Sequence, residues 1–329
     1  MKVLIVKTSS MGDVIHTFQA VEDIGRHRPD VSLDWCVEEA FADIVALHPA
    51  IRGVHRVALR RWRRSLFETT TWLEAVSLRR ALRAARYDLV IDAQGLLKSA
   101  FVSRLAGAPV AGLDRSSARE GAASAFYNYR FHVPLGRHAV ERTRRLMAQA
   151  LDYEADLSEL ATGIRLPSLP AGFELPERPA FLLHGTSRAD KKWPLDQWIA
   201  TAARLVGSGL TPITTWSNDE ERLVAEAIRA AVTQTIVVPK SRLGELAGII
   251  GRSEQVIGAD TGLAHLASAF AVPTVAVFLT TSPGLTGPVG PYAATVAATP
   301  DEGASPDVVL REAERLLSER QPKRTSTIS

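Results

Sequence analysis

A single cysteine, Cys36, rules out an internal disulfide, so this 329-residue chain must be held together by its core. The opening residues Met1 to Val6 run straight into a strand pattern with no small-residue cleavage site, and the expected compartment is the cytoplasm. The longest run free of Asp, Glu, Lys and Arg, residues 261–300, could span a bilayer by length. Pro273, Pro283, Pro288, Pro291 and Pro300 would break such a helix repeatedly. There is no Gly-x-Gly-x-x-Gly opening a helix after a strand and no Gly-x-x-x-x-Gly-Lys-Ser/Thr loop, which argues against a dehydrogenase and a P-loop NTPase. Nor is there an Asp-x-Asp pair or a Cys/His cluster at metal spacing. No metal and no cofactor are expected, and phosphate charge would be met by lysine and helix N-termini.

What is present is an ordinary globular composition, 46% apolar and 23% charged, long enough for two domains. Charge is unevenly placed. Residues 1–167 hold 24 Lys/Arg against 19 Asp/Glu, whereas residues 168–329 hold 15 against 17. Between Arg52 and Arg86 ten arginines face only Glu68 and Glu74, a cluster suited to phosphate, carboxylate or an anionic membrane surface.

Short apolar runs alternate with helical patterns, as in parallel βαβ units. Val3–Val6, Ser32–Val37 and Asp88–Asp92 read as strands, with helices over Gly12–His27, about Leu96–Ala106, and Arg137–Leu151. Four prolines within Leu166–Ala180 suit neither a helix nor an interior strand and mark an interdomain linker. The alternation then resumes through Phe181–His184, Thr211–Thr215, Thr235–Val238, Gln255–Ile257 and Thr274–Val277. The expectation is an N-terminal Rossmann-like domain over residues 1–167, a linker over 168–180, a second such domain over 181–305, a closing helix over 306–320 and a frayed tail over 321–329. Two doubly wound sheets in series would face a central cleft lined by strand carboxyl ends, where ligands bind.

Four loops could carry chemistry, one in the first half and three in the second. The first, Lys7-Thr-Ser-Ser-Met-Gly-Asp13, ends at a helix start; Ser10-x-x-Asp13 fits a capping box, and the helix dipole would equally keep Asp13 ionised for use as a base. In the second half, Asp260-Thr261-Gly262 opens a helix whose free N–H groups suit a diphosphate, with His265 one turn in, as a packed or capping group or a ligand contact. The loop His184 to Pro194 adds two hydroxyls and two lysines. Trp216 to Glu221 adds carboxylates where α/β folds hydrogen-bond ribose, although such acids also cap helices.

The segments KVLIVKTSSMGDVIHTFQAV, DLVIDAQGLLKSAFVSRLAG, HGTSRADKKWPLDQW and GADTGLAHLASAFAVPTVAVF, in this order over nearly the whole chain, resemble glycosyltransferase family 9. The resemblance implies a GT-B fold and an inverting, metal-independent transfer of L-glycero-D-manno-heptose from ADP-heptose to the 3-deoxy-D-manno-octulosonic acid (Kdo) of Kdo2-lipid A, in lipopolysaccharide core synthesis. A second heptosyltransferase or another family member with a different acceptor is the alternative. A nucleotide-sugar-binding protein without turnover and a sugar-nucleotide epimerase are the rivals outside the family.

By position, the resemblance makes Asp13 the catalytic base. It assigns the donor to Thr186, Ser187, Lys191, Glu221, Ser241, Asp260, Thr261, Gly262 and His265, with Glu220 competing with Glu221 for the nucleoside. It assigns the acceptor to Ser10, Gly12, Arg60, Arg61, Arg63, Arg64, Gln94, Lys98 and Arg119. Ser217 and Ser241 depart from the family's usual glycine and larger adenine-contacting residue. The lipid anchor of such an acceptor implies peripheral contact with the cytoplasmic face of the inner membrane, through the arginines and Trp62, Phe67 and Trp72. No nucleic acid is expected as a partner.

Overall fold

In the computed structural model of the chain the described residues are 1–65, 67–186, 188–280, 282–298 and 304–320. They divide into two compact units, Met1–Arg165 and Leu166–Ser329. The tail expected over 321–329 lies outside the described residues.

The first unit is built on six parallel strands: β1 Lys2–Val6, β2 Ser32–Glu38, β3 Ile51–Val57, β4 Leu89–Asp92, β5 Val110–Leu113 and β6 Tyr129–Phe131. Their spatial order is β3-β2-β1-β4-β5-β6. Val3, Leu4, Ile5 and Val6 are all fully buried, as a central parallel strand covered on both faces requires. The strands that pattern reading passes over, β3, β5 and β6, carry weaker signals. β3 and β6 are half-exposed edges bearing Arg and His, the charged dressing that keeps an edge from pairing further. β5 is only Val-Ala-Gly-Leu, and Gly112 is required there because an added Cβ would run into the Tyr127 ring.

Helix Met11–His27 packs against helix Ala139–Leu151. A buried ion pair fixes that contact. The Arg144 guanidinium donates twice to Asp23, at 2.6 and 2.8 Å, with both side chains at 1% exposure or less. Two buried charges are tolerated because each neutralises the other and the remaining Arg144 donors reach the carbonyls of Asp156 and Glu159.

The second unit repeats the plan with β7 Pro179–Leu183, β8 Thr211–Thr214, β9 Ile236–Val237, β10 Gln255–Ala259, β11 Thr274–Phe278 and β12 Ala293–Ala297, in the order β12-β11-β10-β7-β8-β9. Read from the other edge this is the same 3-2-1-4-5-6 arrangement, so each sheet has one topological switch point: between β1 and β4 in the first, between β7 and β10 in the second. β7 starts inside the proline-rich segment, and Leu169, Phe173 and Leu175 pack on one core cluster of the second unit, while in another Trp193 and Trp198 meet edge to face at 4.8 Å. The closing helix spans Pro306–Arg320 and buries Val309, Leu310, Ala313 and Leu316.

Candidate functional site

At the first switch point, β1 runs into Lys7–Ser10 and then into helix Met11–His27, while β4 runs into a turn leading to helix Leu97–Leu105. The Asp13 carboxylate sits on the first helical turn. Its Oδ2 accepts from both the backbone N–H and the hydroxyl of Ser10, each at 2.9 Å, so the capping arrangement legible in the sequence exists. Its Oδ1 faces the Lys7 ammonium at 3.6 Å, and a fifth of the side chain remains exposed. Burial alone would raise the Asp13 pKa. The positive charge of Lys7, the two Ser10 hydrogen bonds and nearby His16 outweigh it and hold the group at about 2. Asp13 is therefore a cap and an ionised, partly accessible carboxylate together. Gly12 is buried beside it.

Gln94 lies across the same loop, 4% exposed, its carboxamide engaged by Thr8 and Ser9. The Lys98 ammonium reaches the Ser9 hydroxyl at 3.5 Å. Arg119 is exposed on the neighbouring loop after β5, close enough to Arg142 for their like charges to lower the latter's pKa, beneath the larger effect of burial.

The arginine cluster is not uniform. Arg61 is already paired, bidentate to Glu39 at 3.0 and 3.1 Å and in contact with Glu74 at 3.0 Å. Arg60 lies over the Phe41 ring at 5.5 Å, while Arg63 and Arg64 are exposed and make no ion pair among the described residues. Trp62 is half-buried with its indole N–H on Glu74 at 2.6 Å, whereas Phe67 is fully exposed and Trp72 and Leu73 are more than 60% exposed. No helix among the described residues is long and apolar enough to cross a membrane.

At the second switch point, β7 leads into the loop at His184 and β10 into Asp260, Thr261 and helix Gly262–Ala269. The Thr186 hydroxyl donates to the Asp260 carbonyl at 3.3 Å, and the Lys191 ammonium pairs with the Asp260 carboxylate at 2.5 Å. Thr261 is the N-cap without a side-chain cap bond, and His265 is buried one turn on. Ser187 lies outside the described residues.

Beside this loop a cavity of about 90 Å³ is lined by His184, Gly185, Thr186, Lys192, Asn218, Glu220 and Glu221 among others. The two glutamates divide there. Glu220 is exposed and paired with Lys192, while Glu221 accepts from the Ser217 N–H and hydroxyl at 2.7 Å and leans over Gly185, where an added Cβ would lie 2.9 Å from its carboxylate. Ser241 donates to the Pro239 carbonyl at 2.8 Å.

Sequence reading names Lys7 and His184 only as the starts of two loops and Asp92 only as a strand end, and assigns none of them a role. A rule of inspecting the last residue of each switch-point strand and the one after it would have flagged them.

The family model for glycosyltransferase family 9 (heptosyltransferase) matches residues 75–317. Lipopolysaccharide heptosyltransferase 1 of Pseudomonas aeruginosa is 45% identical over 292 residues, 88% of this chain and 82% of that protein. Among solved structures, E. coli heptosyltransferase WaaC with ADP superposes with a TM-score of 0.90 at 38% identity, covering 96% of this chain and all of the other. The same protein with ADP-2-deoxy-2-fluoro heptose gives 0.86 at 37% identity, covering 96% of this chain and 99% of the other.

Proposed function

This chain belongs to glycosyltransferase family 9, and from that premise we propose that it transfers L-glycero-D-manno-heptose from ADP-heptose to the Kdo of Kdo2-lipid A in lipopolysaccharide core synthesis, with inversion and without a metal. The observation that carries the proposal is the extent of the likeness: 45% identity to a lipopolysaccharide heptosyltransferase 1 across most of both chains, and 96% coverage of this chain by a heptosyltransferase solved with a donor analogue.

The reaction is a single displacement. The acceptor hydroxyl oxygen bonds to the anomeric carbon, the bond from that carbon to the β-phosphate oxygen breaks, and the electron pair leaves with ADP. Asp13, ionised at neutral pH, takes the hydroxyl proton. Lys191, Thr186 and the open start of helix Gly262–Ala269 hold the diphosphate and its growing charge, with Asp260 orienting the lysine. Glu221, rather than Lys192-paired Glu220, takes the ribose. Ser187, Ser241 and His265 complete the donor contacts. Arg60, Arg63, Arg64, Lys98 and Arg119 meet the carboxylates and phosphates of the acceptor. Arg61 contributes less, because Glu39 and Glu74 already neutralise it.

The protein works at the cytoplasmic face of the inner membrane, where Phe67, Trp72 and Leu73 enter the interface beside Arg63 and Arg64. Two assays test this reading. ADP release should require ADP-heptose together with Kdo2-lipid A, and a heptosylated acceptor should not substitute; equal turnover on both would move the protein to another acceptor. Sedimentation with anionic vesicles should fall on Phe67→Ala plus Trp72→Ala, and unchanged binding would remove the membrane surface.

A further inference from the structure

We infer that Gln94 is a positioning residue for the base, holding the Thr8–Ser9 backbone and through it Asp13, and that it does not contact the acceptor. The inference rests on the proposed role of Asp13.

The backbone ladder between β1 and β4 runs out just above this point. The paired residues end at Val6 and Asp92, and the last ladder bond is from the Ala93 N–H to the Val6 carbonyl at 3.0 Å. Beyond it the two chains diverge into their helices, leaving Thr8 and Ser9 with donors facing β4 and no backbone opposite. The Gln94 side chain stands where that backbone would be. Its Oε1 accepts from the Thr8 N–H at 2.9 Å and the Ser9 N–H at 3.1 Å, while its Nε2 donates to the Ser9 carbonyl. A carboxamide reproduces a peptide group, one acceptor and one donor in one plane, so it prolongs the ladder where a carboxylate or an apolar chain could not do both.

The opposite flank of the loop is held as well. The Glu38 N–H donates to the Thr8 carbonyl at 3.2 Å and the Trp35 indole to the Lys7 carbonyl at 3.1 Å.

The turn carrying Gln94 is itself fixed from below by Asp92, which is fully buried. Its Oδ1 accepts from the N–H groups of Gln94 and Gly95 at 2.9 and 3.2 Å; its Oδ2 accepts from the hydroxyls of Ser99 and Tyr127 at 2.9 and 2.8 Å. The same turn offers the Ala93 carbonyl to the Lys7 ammonium at 2.9 Å, the ammonium that faces Asp13. Movement of Ser9 would carry Ser10, whose two donors aim the Asp13 carboxylate. A base displaced by about 1 Å can lose on the order of 10²-fold in rate.

Gln94→Leu and Gln94→Glu separate positioning from contact, assayed with ADP-heptose and Kdo2-lipid A. Under positioning, Gln94→Leu lowers kcat by about 10- to 100-fold with acceptor KM and ADP affinity close to wild type. Gln94→Glu recovers part of the loss, because its oxygens still accept from Thr8 and Ser9. In an Asp13→Asn background Gln94→Leu costs nothing further. A raised acceptor KM at unchanged kcat, or a Glu variant worse than the Leu variant because its charge repels an anionic acceptor, overturns the inference. So does a full multiplicative loss in the Asp13→Asn background. Asp13→Asn at wild-type turnover overturns the base assignment and this inference together, and is read from that single variant alone.

Discussion

The two units share one topology and differ in what they do at the switch point. In the first, the polar groups above β1 and β4 hold one another: Lys7, Gln94, Asp92, Ser10 and Asp13 form a closed set of hydrogen bonds and charges around a short loop. In the second, Thr186 and Lys191 tie the loop above β7 to Asp260 above β10, and other polar groups at the ends of β7, β8 and β10 are left open. Thr261 makes no side-chain cap bond, and the His184 Nε2 and Thr215 hydroxyl are buried with no partner among the described residues. Burial pushes the His184 pKa down, against the opposing pull of Glu221 and the Thr215 backbone, so its imidazole is neutral at neutral pH and able to meet a ligand donor. A proton acceptor needs a fixed geometry before substrate arrives, whereas a diphosphate site needs open donors. On the proposed roles, one fold supplies both by changing only the loops at its strand ends.

The sharpest way to break this contrast is to remove one charge from each side. Asp13→Asn keeps the helix cap, since an amide oxygen still accepts from Ser10, but cannot take a proton. Turnover should fall by about 10²- to 10⁴-fold while ADP affinity, measured by calorimetry, stays within about twofold. Near-wild-type turnover would show that the closed network is only a cap. Lys191→Met should do the reverse on a smaller scale. It removes a cation hydrogen-bonded to Asp260 in a site where both side chains are under 20% exposed, and an ionic hydrogen bond of about 1.5–3 kcal/mol corresponds to roughly 10- to 150-fold in ADP dissociation constant. An ADP affinity unmoved by Lys191→Met would place the diphosphate elsewhere in the second unit.

The contrast also explains what could be read beforehand. Helices with strong periodicity came within a residue or two: Gly12–His27 is expected and Met11–His27 observed, Arg137–Leu151 expected and Ala139–Leu151 observed. The central strands were legible from unbroken β-branched and leucine runs, the mark of sheets covered on both faces. The edges were not, because β3 and β6 mix charge with apolar residues. At the site, residue types and loop positions were visible, but the partners were not. That Gln94 faces inward, that Arg61 is neutralised by Glu39 and Glu74, and that Asp23 waits for Arg144 are contacts 13 to 121 residues apart in sequence. Local pattern carries no information about them.

Lys7→Met tests the smallest difference between the units, the electrostatic setting of the proposed base. Burial raises the Asp13 pKa, and Lys7 is the largest of the influences that bring it down to about 2. With the ammonium gone, burial is opposed only by Ser10 and the weaker pull of His16, so the folded-state pKa must rise. In the wild type Asp13 stays ionised throughout the range where the protein can be assayed, so any acid limb in kcat/KM belongs to other groups. In the variant Asp13 begins to protonate at higher pH, and the acid limb should move upward while the alkaline side is unchanged. Stability moves with the same sign. A carboxylate depressed from 3.8 to about 2 contributes stability above pH 3.8 that is lost as pH falls toward 2, and Lys7→Met removes part of it, so the variant's melting temperature should separate most from wild type at neutral pH and converge with it in acid. Superimposable pH profiles for the two proteins would mean that Lys7 holds the Ala93 carbonyl for structural reasons alone and that the closed network of the first unit owes its catalytic setting to Ser10 and Gln94.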